Sequence, residues 1–387
     1  MVGYAFSIFV CAFLVFGLDD RTSIIANLTF IPFSAFSTIR ILEKRYFKLE
    51  TEEIALLAFL LTAICSAFLS DSLLISLKYC YSIGSLWLLF VFGNHVLSAT
   101  DYRIIENSYV LGAMFLAGWT TLVDWNGIDR LNFGDGSSTN ALGVIFASCA
   151  LMMINRAFKG GTIKYGILSL LFVVVMLLTK SRRAVILFAV SFLLLALIPE
   201  KGQKIYERYR KRATIAFTAI ALVFGIKSGF VLDKISRFFA IKREIVSGRN
   251  TSITLRLHFI RTGMEEFLKK PILGHGAGTS SEFLEGTSFH NNYIQLLYEL
   301  GVIGLFFYLL FLLICFIKAA KSKSRMSAVI IIFILIAGLF GLTYRQKLYY
   351  ILLVLSQIYS KHMCTFGTSP KSKDVPKVKR ALSMDLQ

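Results

Sequence analysis

Long apolar runs recur along almost the whole chain, and no other feature of the sequence limits the fold as strongly. A helix that crosses a hydrocarbon core of about 30 Å needs roughly 20 apolar residues, and runs near that length fill most of the sequence. With 56% hydrophobic residues and only 17% charged ones, the chain of 387 residues is far more apolar than a soluble domain. The sequence therefore predicts an all-α, polytopic integral membrane protein.

The apolar runs predict about twelve transmembrane helices. They are residues 2–18, 22–39, 54–70, 73–97, 105–123, 141–154, 165–179, 184–198, 213–226, 293–317, 326–343 and 348–359. Nine of them lie in residues 1–226 and three in residues 293–360. The two groups are separated by a long external segment, 227–292, and the chain ends in a basic tail, 361–387, which is predicted to be disordered.

The Lys and Arg residues between the runs predict the orientation, since cytoplasmic loops carry an excess of both. Placing the N-terminus inside puts RILEKRYFK, RAFKGGTIK, KGQKIYERYRKR, KAAKSKSR and the basic tail in the cytoplasm. All these segments agree, so both termini are predicted to be cytoplasmic. The net charge of +19 partly reflects this bias and does not indicate nucleic-acid binding.

Basic residues on the predicted outer face depart from this rule. The hairpin TKSRRAV places Lys180, Arg182 and Arg183 between two short apolar runs, and Arg130 lies in another external turn. Cations held at the membrane boundary usually mark a substrate path, although each could instead reach lipid phosphates. Because Arg binds phosphate oxygens in pairs, this surface suits a multiply charged anion.

The long external segment contains TSITLRLHFIRTGMEEFLKKP, whose spacing predicts an amphipathic helix ended by Pro271. Leu257, Ile260, Met264 and Phe267 fall on one face, so the helix is predicted to lie on the bilayer surface or to pack over the spans. The glycines of the GHGAG segment that follows permit a tight turn or a close approach of the backbone to a ligand. The glycine spacings of nucleotide-binding loops are absent from it.

His290 differs from the other histidines because it precedes Asn291 and Asn292 at the mouth of an apolar run. An imidazole there could take a proton from an alcohol, since an ordinary pKa of about 6.5 leaves it mostly neutral near pH 7. A structural hydrogen bond is the alternative role. The sequence contains no HExxH or CxxC motif, so no metal site is predicted.

Four motifs, in this order along the chain, resemble those of the O-antigen ligase and polymerase superfamily of bacterial envelope glycosyltransferases. RLNFGDGSSTNALG is similar to its Arg…Asn external turn, and LLTKSRRAV to its Thr-x-Ser-Arg motif. RLHFIRTGMEEFLKKPILGHGAG resembles its Arg, periodic helix and Pro-x-x-Gly-x-Gly, and SFHNNYIQLLYELGVIGLFFY its His-Asn…Glu-x-Gly signature. The sequence departs from the family at Arg183, often glycine, and at Ile260, often tryptophan.

The resemblance implies an enzyme of the bacterial inner membrane whose active site, including the segment 227–292, faces the periplasm. Such proteins move a glycan from a polyprenyl (undecaprenyl) diphosphate carrier to a hydroxyl group, without a metal, nucleotide or other cofactor. A direct displacement would invert the anomeric centre.

The motifs also imply a role for each site residue. His290 would be the general base or would orient the acceptor, and Arg182 and Arg256 would stabilise the departing diphosphate. Glu299 would hold the helix or the surroundings of His290. The residues implied in substrate binding are Arg130, Arg183, Arg261 and Asn291.

Two kinds of enzyme share these motifs. An O-antigen ligase passes finished O-antigen to lipid A–core oligosaccharide in lipopolysaccharide biosynthesis, whereas a polymerase adds repeat units to a carrier-linked chain. The compact length and single large external segment favour the ligase, with the carrier-linked glycan, lipid A–core and membrane lipids as partners. A transporter or flippase would have inverted repeats and charges near the mid-membrane, but no internal repeat is evident.

Overall fold

The computed structural model describes residues 1–18, 23–43, 47–124, 131, 139–159, 163–198 and 252–367. Within these residues the protein is built from α-helices and contains no strand, which confirms the predicted all-α class. The helices are α1 (Val2–Phe16), α2 (Ser23–Leu42), α3 (Thr51–Phe68), α4 (Leu73–Val96), α5 (Tyr102–Trp119), α6 (Thr139–Phe158), α7 (Ile163–Leu178), α8 (Arg182–Leu197), α9 (Ser252–Phe267), α10 (Ser280–Phe283), α11 (Asn292–Ser322), α12 (Arg325–Gly338) and α13 (Lys347–Gly367).

A helix overlaps each predicted apolar run that falls in this part of the chain. Five helices, α2, α3, α4, α6 and α11, are long and apolar enough to cross a membrane, and α1, α7 and α12 are shorter apolar helices. The chain is therefore a membrane protein, while the count of twelve and the position of the termini stay predictions. Outside the described residues lie the predicted span 213–226, Arg130, the first part of the external segment, 227–251, and the tail from residue 368.

Helix α6 lies at the centre of one half of the molecule. Its residues 142–155 are all buried, because α5, α7 and α8 pack around it. A helix that is apolar on every side has no face to offer to water, and burial among other helices is its stable position. In the other half, α11 packs along α3, and α1 packs between α2 and α5.

Polar contacts collect at the two ends of the bundle. At one end, Lys318 of α11 pairs with Glu50 and Glu52 at the start of α3, and Arg156 pairs with Glu106 at 2.9 Å. The charge pattern assigns all these segments to the cytoplasm, and we call this the inner end. The segments assigned to the outside meet at the opposite, outer end, which carries the candidate site.

Candidate active site

The long helix α11 is broken near its outer end. Gly301 has φ 65° and ψ −167°, so the carbonyls of the preceding turn lose their helical partners. The loop that precedes α10 supplies replacements: the His275 N–H donates to the Tyr298 carbonyl and the Gly276 N–H to the Glu299 carbonyl, both at 2.9 Å. The Pro-x-x-Gly-x-Gly loop and the Glu-x-Gly break are thus two halves of one backbone joint.

Glycine is required at this joint by close packing. A Cβ at Gly301 would lie 2.2 Å from the Ile272 carbonyl oxygen, and one at Gly278 would lie 1.8 Å from the ring of Tyr79. Both glycines also have positive φ, which L-residues rarely adopt. The GHGAG loop therefore uses its glycines to approach α4 and α11.

Glu299, on the outer side of the break, is fully buried and well partnered. Its Oε1 accepts hydrogen bonds from Ser280 Oγ at 2.5 Å and Gln295 Nε2 at 2.8 Å, and Tyr344 donates to Oε2. The guanidinium of Arg345 lies 3.8 Å from the same carboxylate. These contacts compensate the burial of the charge and join α10, α11 and the turn after α12.

His290 occupies a sharp corner just before α11. Its φ of 54° is left-handed, and Asn291 then caps the helix, its Oδ1 accepting from the Tyr293 and Ile294 N–H groups at 3.0 and 3.2 Å. Asn292 Oδ1 accepts from the Thr343 N–H at 2.8 Å. The backbone on the C-terminal side of His290 is thereby fixed in position, while the residue itself stays partly exposed at the surface.

Helix α9 brings Arg256 to this corner. It packs on the start of α11 at Gly263, where a Cβ would lie 2.5 Å from Ile294 Cγ2. Arg256 and Phe259 are seven and four residues before Gly263, so they share its face of the helix. The Phe259 and His290 ring centroids are 6.2 Å apart. Partial burial lowers the pKa of His290, and the positive charge of Arg256 lowers it further.

The two arginines of the hairpin before α8 have different surroundings. Arg182 is exposed at the first turn of α8, whose N-terminal cap is Ser181, and Ser181 Oγ also donates to Asn140 Oδ1 at 2.8 Å. Arg183 points inward, donates to the Tyr349 hydroxyl and touches Gly341. Asn291 Nδ2 donates to the Leu339 carbonyl at 3.5 Å, so the turn 339–346 connects the Arg183 and His290 regions.

The other residues predicted to bind substrate are Arg261, Asn291 and Arg130. Arg261 lies on the far face of α9, with its side chain 80% exposed, and pairs with Glu265 at 2.8 Å. Asn291 uses its carbonyl oxygen as a helix cap, and Arg130 lies outside the described residues. In the part of the chain that the structure describes, no group of three or more His, Cys, Asp or Glu side chains is placed to hold a metal.

Comparison with known families agrees with these motifs. Residues 167–309 match the family model described as O-antigen ligase. The resemblance to the O-antigen ligase and polymerase superfamily is confirmed. The match supports an O-antigen ligase-type or polymerase function in general, and the matched part includes every predicted site residue except Arg130. No curated protein matches the chain.

The sequence alone did not predict the support around Glu299. Ser280 and Tyr344 lie outside the four quoted motifs, and Gln295 lies inside the last of them but was given no role. A signal was present, since Asn292, Gln295 and Glu299 recur at helical spacing within an apolar run. Such a polar stripe indicates a helix face that meets other polar groups.

Proposed function

We propose that the protein is an O-antigen ligase-like glycosyltransferase. It transfers a glycan from undecaprenyl diphosphate to a hydroxyl of lipid A–core oligosaccharide, at the periplasmic face of the bacterial inner membrane. The observation that carries the proposal is the position of His290, fixed at the mouth of α11 beside Arg256. Transfer is proposed to need no metal or other cofactor.

The proposed reaction is a single displacement. His290 takes the proton of the acceptor hydroxyl, and the oxygen forms a bond to the anomeric carbon of the donor. The bond from that carbon to the carrier diphosphate breaks, and its electron pair leaves with the diphosphate. Attack from the side opposite the leaving group inverts the anomeric centre. A lowered pKa keeps His290 neutral and able to accept the proton.

Arginines would stabilise the leaving diphosphate. Arg256 is close enough to His290 to affect its pKa, and Arg182 is exposed at the N-terminus of α8, where the helix dipole also favours an anion. The guanidinium of Arg183 is hydrogen-bonded to Tyr349, so Arg183 is proposed to assist diphosphate binding indirectly, as the neighbour of Arg182. Asn291 would contact the glycan or the phosphate only at the edge of the site, and Arg261, which lies on the far face of α9, is not assigned a part in the transfer step.

The carrier's prenyl chain also has a candidate place. An apolar groove of about 400 Å³ opens between α11 and α12, and its lining includes Phe306, Leu309, Leu313 and Leu335. The end of the groove nearer the outer end of the bundle is close to the site. Phe306 lies five residues beyond the break at Gly301, and the Tyr293 hydroxyl donates to the carbonyl of Leu335, which lines the groove. A lipid chain in this groove would place its diphosphate at the outer end.

The test uses purified protein in liposomes, with labelled undecaprenyl-diphosphate-linked glycan and lipopolysaccharide that lacks O-antigen, without added metal or nucleotide. Label on the lipopolysaccharide is the expected result. Longer carrier-linked chains with unlabelled lipopolysaccharide would instead identify a polymerase, which uses the same chemistry on another acceptor. If label remains on the unextended donor while the protein is folded, the proposal fails.

A further inference from the structure

We propose that α9 lies on the outer leaflet of the membrane and inserts a stripe of three apolar side chains into anionic phospholipid. The stripe consists of Leu257 and Met264 of α9 and Leu268, the residue directly after the helix, and we call it the α9 stripe. The partner is the lipid surface itself. This inference concerns the seating of α9 on the bilayer and goes beyond the transfer reaction.

The first observation is that α9 has one face packed on the protein and another apolar face that is exposed. The face with Gly263 and Phe259 packs on the start of α11. The α9 stripe lies on a different face, since its members recur at i, i+7 and i+11, and they are 52%, 37% and 69% exposed. The α9 stripe therefore points away from the protein. A helix that only packed on the protein, with its other face in water, would have polar residues at these positions.

The second observation is the level at which α9 ends. Lys270, three residues after the helix, lies 3.3 Å from Asp71 in the turn between α3 and α4. Ser66 Oγ donates to the Leu273 carbonyl at 2.5 Å, so the chain after α9 is tied to the outer end of α3. Helix α9 thus ends at the height where two apolar helices of the bundle end.

Exposed apolar side chains continue across this junction. Ile272 is 61% exposed just beyond α9, and Phe68, Leu69 and Leu74 are 69%, 61% and 83% exposed at the outer ends of α3 and α4. In a membrane protein, apolar side chains at these positions face lipid. The α9 stripe is therefore continuous with a surface that meets the bilayer.

Charge favours anionic lipid as the partner. Arg261 of α9 and Lys269, two residues after the helix, flank the stripe, and they pair with Glu265 and Glu266 of α9 at 2.8 and 2.6 Å. Exposed pairs of this kind contribute little stability, so a lipid phosphate can replace the glutamate at small cost. A second copy of the chain is a poor alternative, because a stable interface needs about 800 Å² per partner, far more than three side chains supply.

The experiment places a benzophenone amino acid at one position at a time in the full chain. The protein is reconstituted in liposomes of phosphatidylethanolamine and phosphatidylglycerol, irradiated and examined by mass spectrometry. Leu255 is the matched control, because it is a leucine of the same helix, 47% exposed, on another face. We expect lipid adducts at Leu257, Met264 and Leu268 in several-fold higher yield than at Leu255.

Equal yields at the stripe and at Leu255, or crosslinked dimers in place of lipid adducts, would overturn the proposal. Replacing phosphatidylglycerol by phosphatidylcholine should lower the adduct yield, and an unchanged yield would overturn the assignment to anionic lipid. The readout does not depend on glycan transfer, so a failure here is distinguishable from a failure of the proposed function.

Discussion

His290 combines an unusual backbone with a shifted protonation equilibrium. Its φ of 54° turns the chain immediately before α11, and burial of part of the ring, followed by the charge of Arg256, lowers its pKa. A lowered pKa means that the neutral form persists below the ordinary value of about 6.5. Transfer should therefore remain high on mild acidification and fall only when the pH passes below that ordinary value.

Replacing His290 by Asn tests the proposed base at this corner. Asn tolerates the left-handed conformation, so the fold should be kept, while the proton acceptor is lost. We expect transfer to fall by about 10²–10⁴-fold, the usual contribution of a general base. The measurement is the rate of label transfer in liposomes, with thermal unfolding as the control for folding. A variant with normal transfer would exclude His290 as the base.

The electrostatic effect of Arg256 can be measured without substrate. Arg256→Gln removes the positive charge that opposes protonation, so the pKa of His290 should rise. Arg261→Gln is the matched control on the same helix, because Arg261 lies on the far face and pairs with Glu265. The readout is the pH dependence of His290 modification by diethylpyrocarbonate, located by mass spectrometry. Equal shifts in both variants would contradict the arrangement.

At the level of elements, the break in α11 and the Gly-rich loop form one unit. Gly301→Ala should destabilise this unit, because a backbone with φ 65° and ψ −167° is adopted almost only by glycine and costs another residue about 1–3 kcal/mol, and because the new Cβ would meet the Ile272 carbonyl oxygen at 2.2 Å. Gly286→Ala is the control, since Gly286 also has positive φ but nothing lies within 4 Å. Thermal unfolding in detergent should show a larger loss for Gly301→Ala than for Gly286→Ala.

The support around Glu299 gives a second prediction for this unit. Glu299→Ala leaves Ser280 and Tyr344 without their acceptor and Gln295 without one of its two, and unsatisfied buried groups cost about 1–3 kcal/mol each. Glu299→Gln keeps the shape and one acceptor oxygen, so it should be milder. Unfolding temperature and transfer rate should both rank wild type, Gln, Ala. Equal stability of wild type and Ala would show that the network does not hold the break.

The sequence predicted the helices better than their connections. Apolar runs encode helices locally, so each run in the described residues overlaps a helix, and motif order brought His290 and Arg256 into one hypothesis. The joint between Gly301 and the loop at Gly274–Gly278, and the pairing of Glu299 with Arg345, depend on residues brought together only by the fold. The spacing of α9 identified its apolar face but not whether that face was buried.

For the whole molecule, charged contacts at the inner end tie α11 to α3. Lys318→Met removes the cation that pairs with Glu52, which is fully buried, so it should lower the free energy of unfolding, but by less than the roughly 3–5 kcal/mol of a fully buried pair because the Lys318 side chain is 35% exposed. Adding Glu52→Gln should recover much of this loss. Arg40→Met is the control, because Arg40 and Glu43 form a pair with side chains 60% and 57% exposed. Unfolding temperatures that do not separate Lys318→Met from Arg40→Met would contradict the role of this pair.

The break in α11 also bears on how the chain is made. Beyond Gly301 the apolar part of the helix, residues 302–317, is about 24 Å long at 1.5 Å per residue, which covers most of a hydrocarbon core of about 30 Å. The insertion machinery needs to release only this portion into lipid, and Glu299 does not have to enter lipid with it. The Glu299 carboxylate can stay hydrated at the membrane edge until it contacts Ser280, Tyr344 and Arg345. Two of these three partners follow Glu299 in the chain, so we expect the outer end of the bundle to close only after α12 has been inserted.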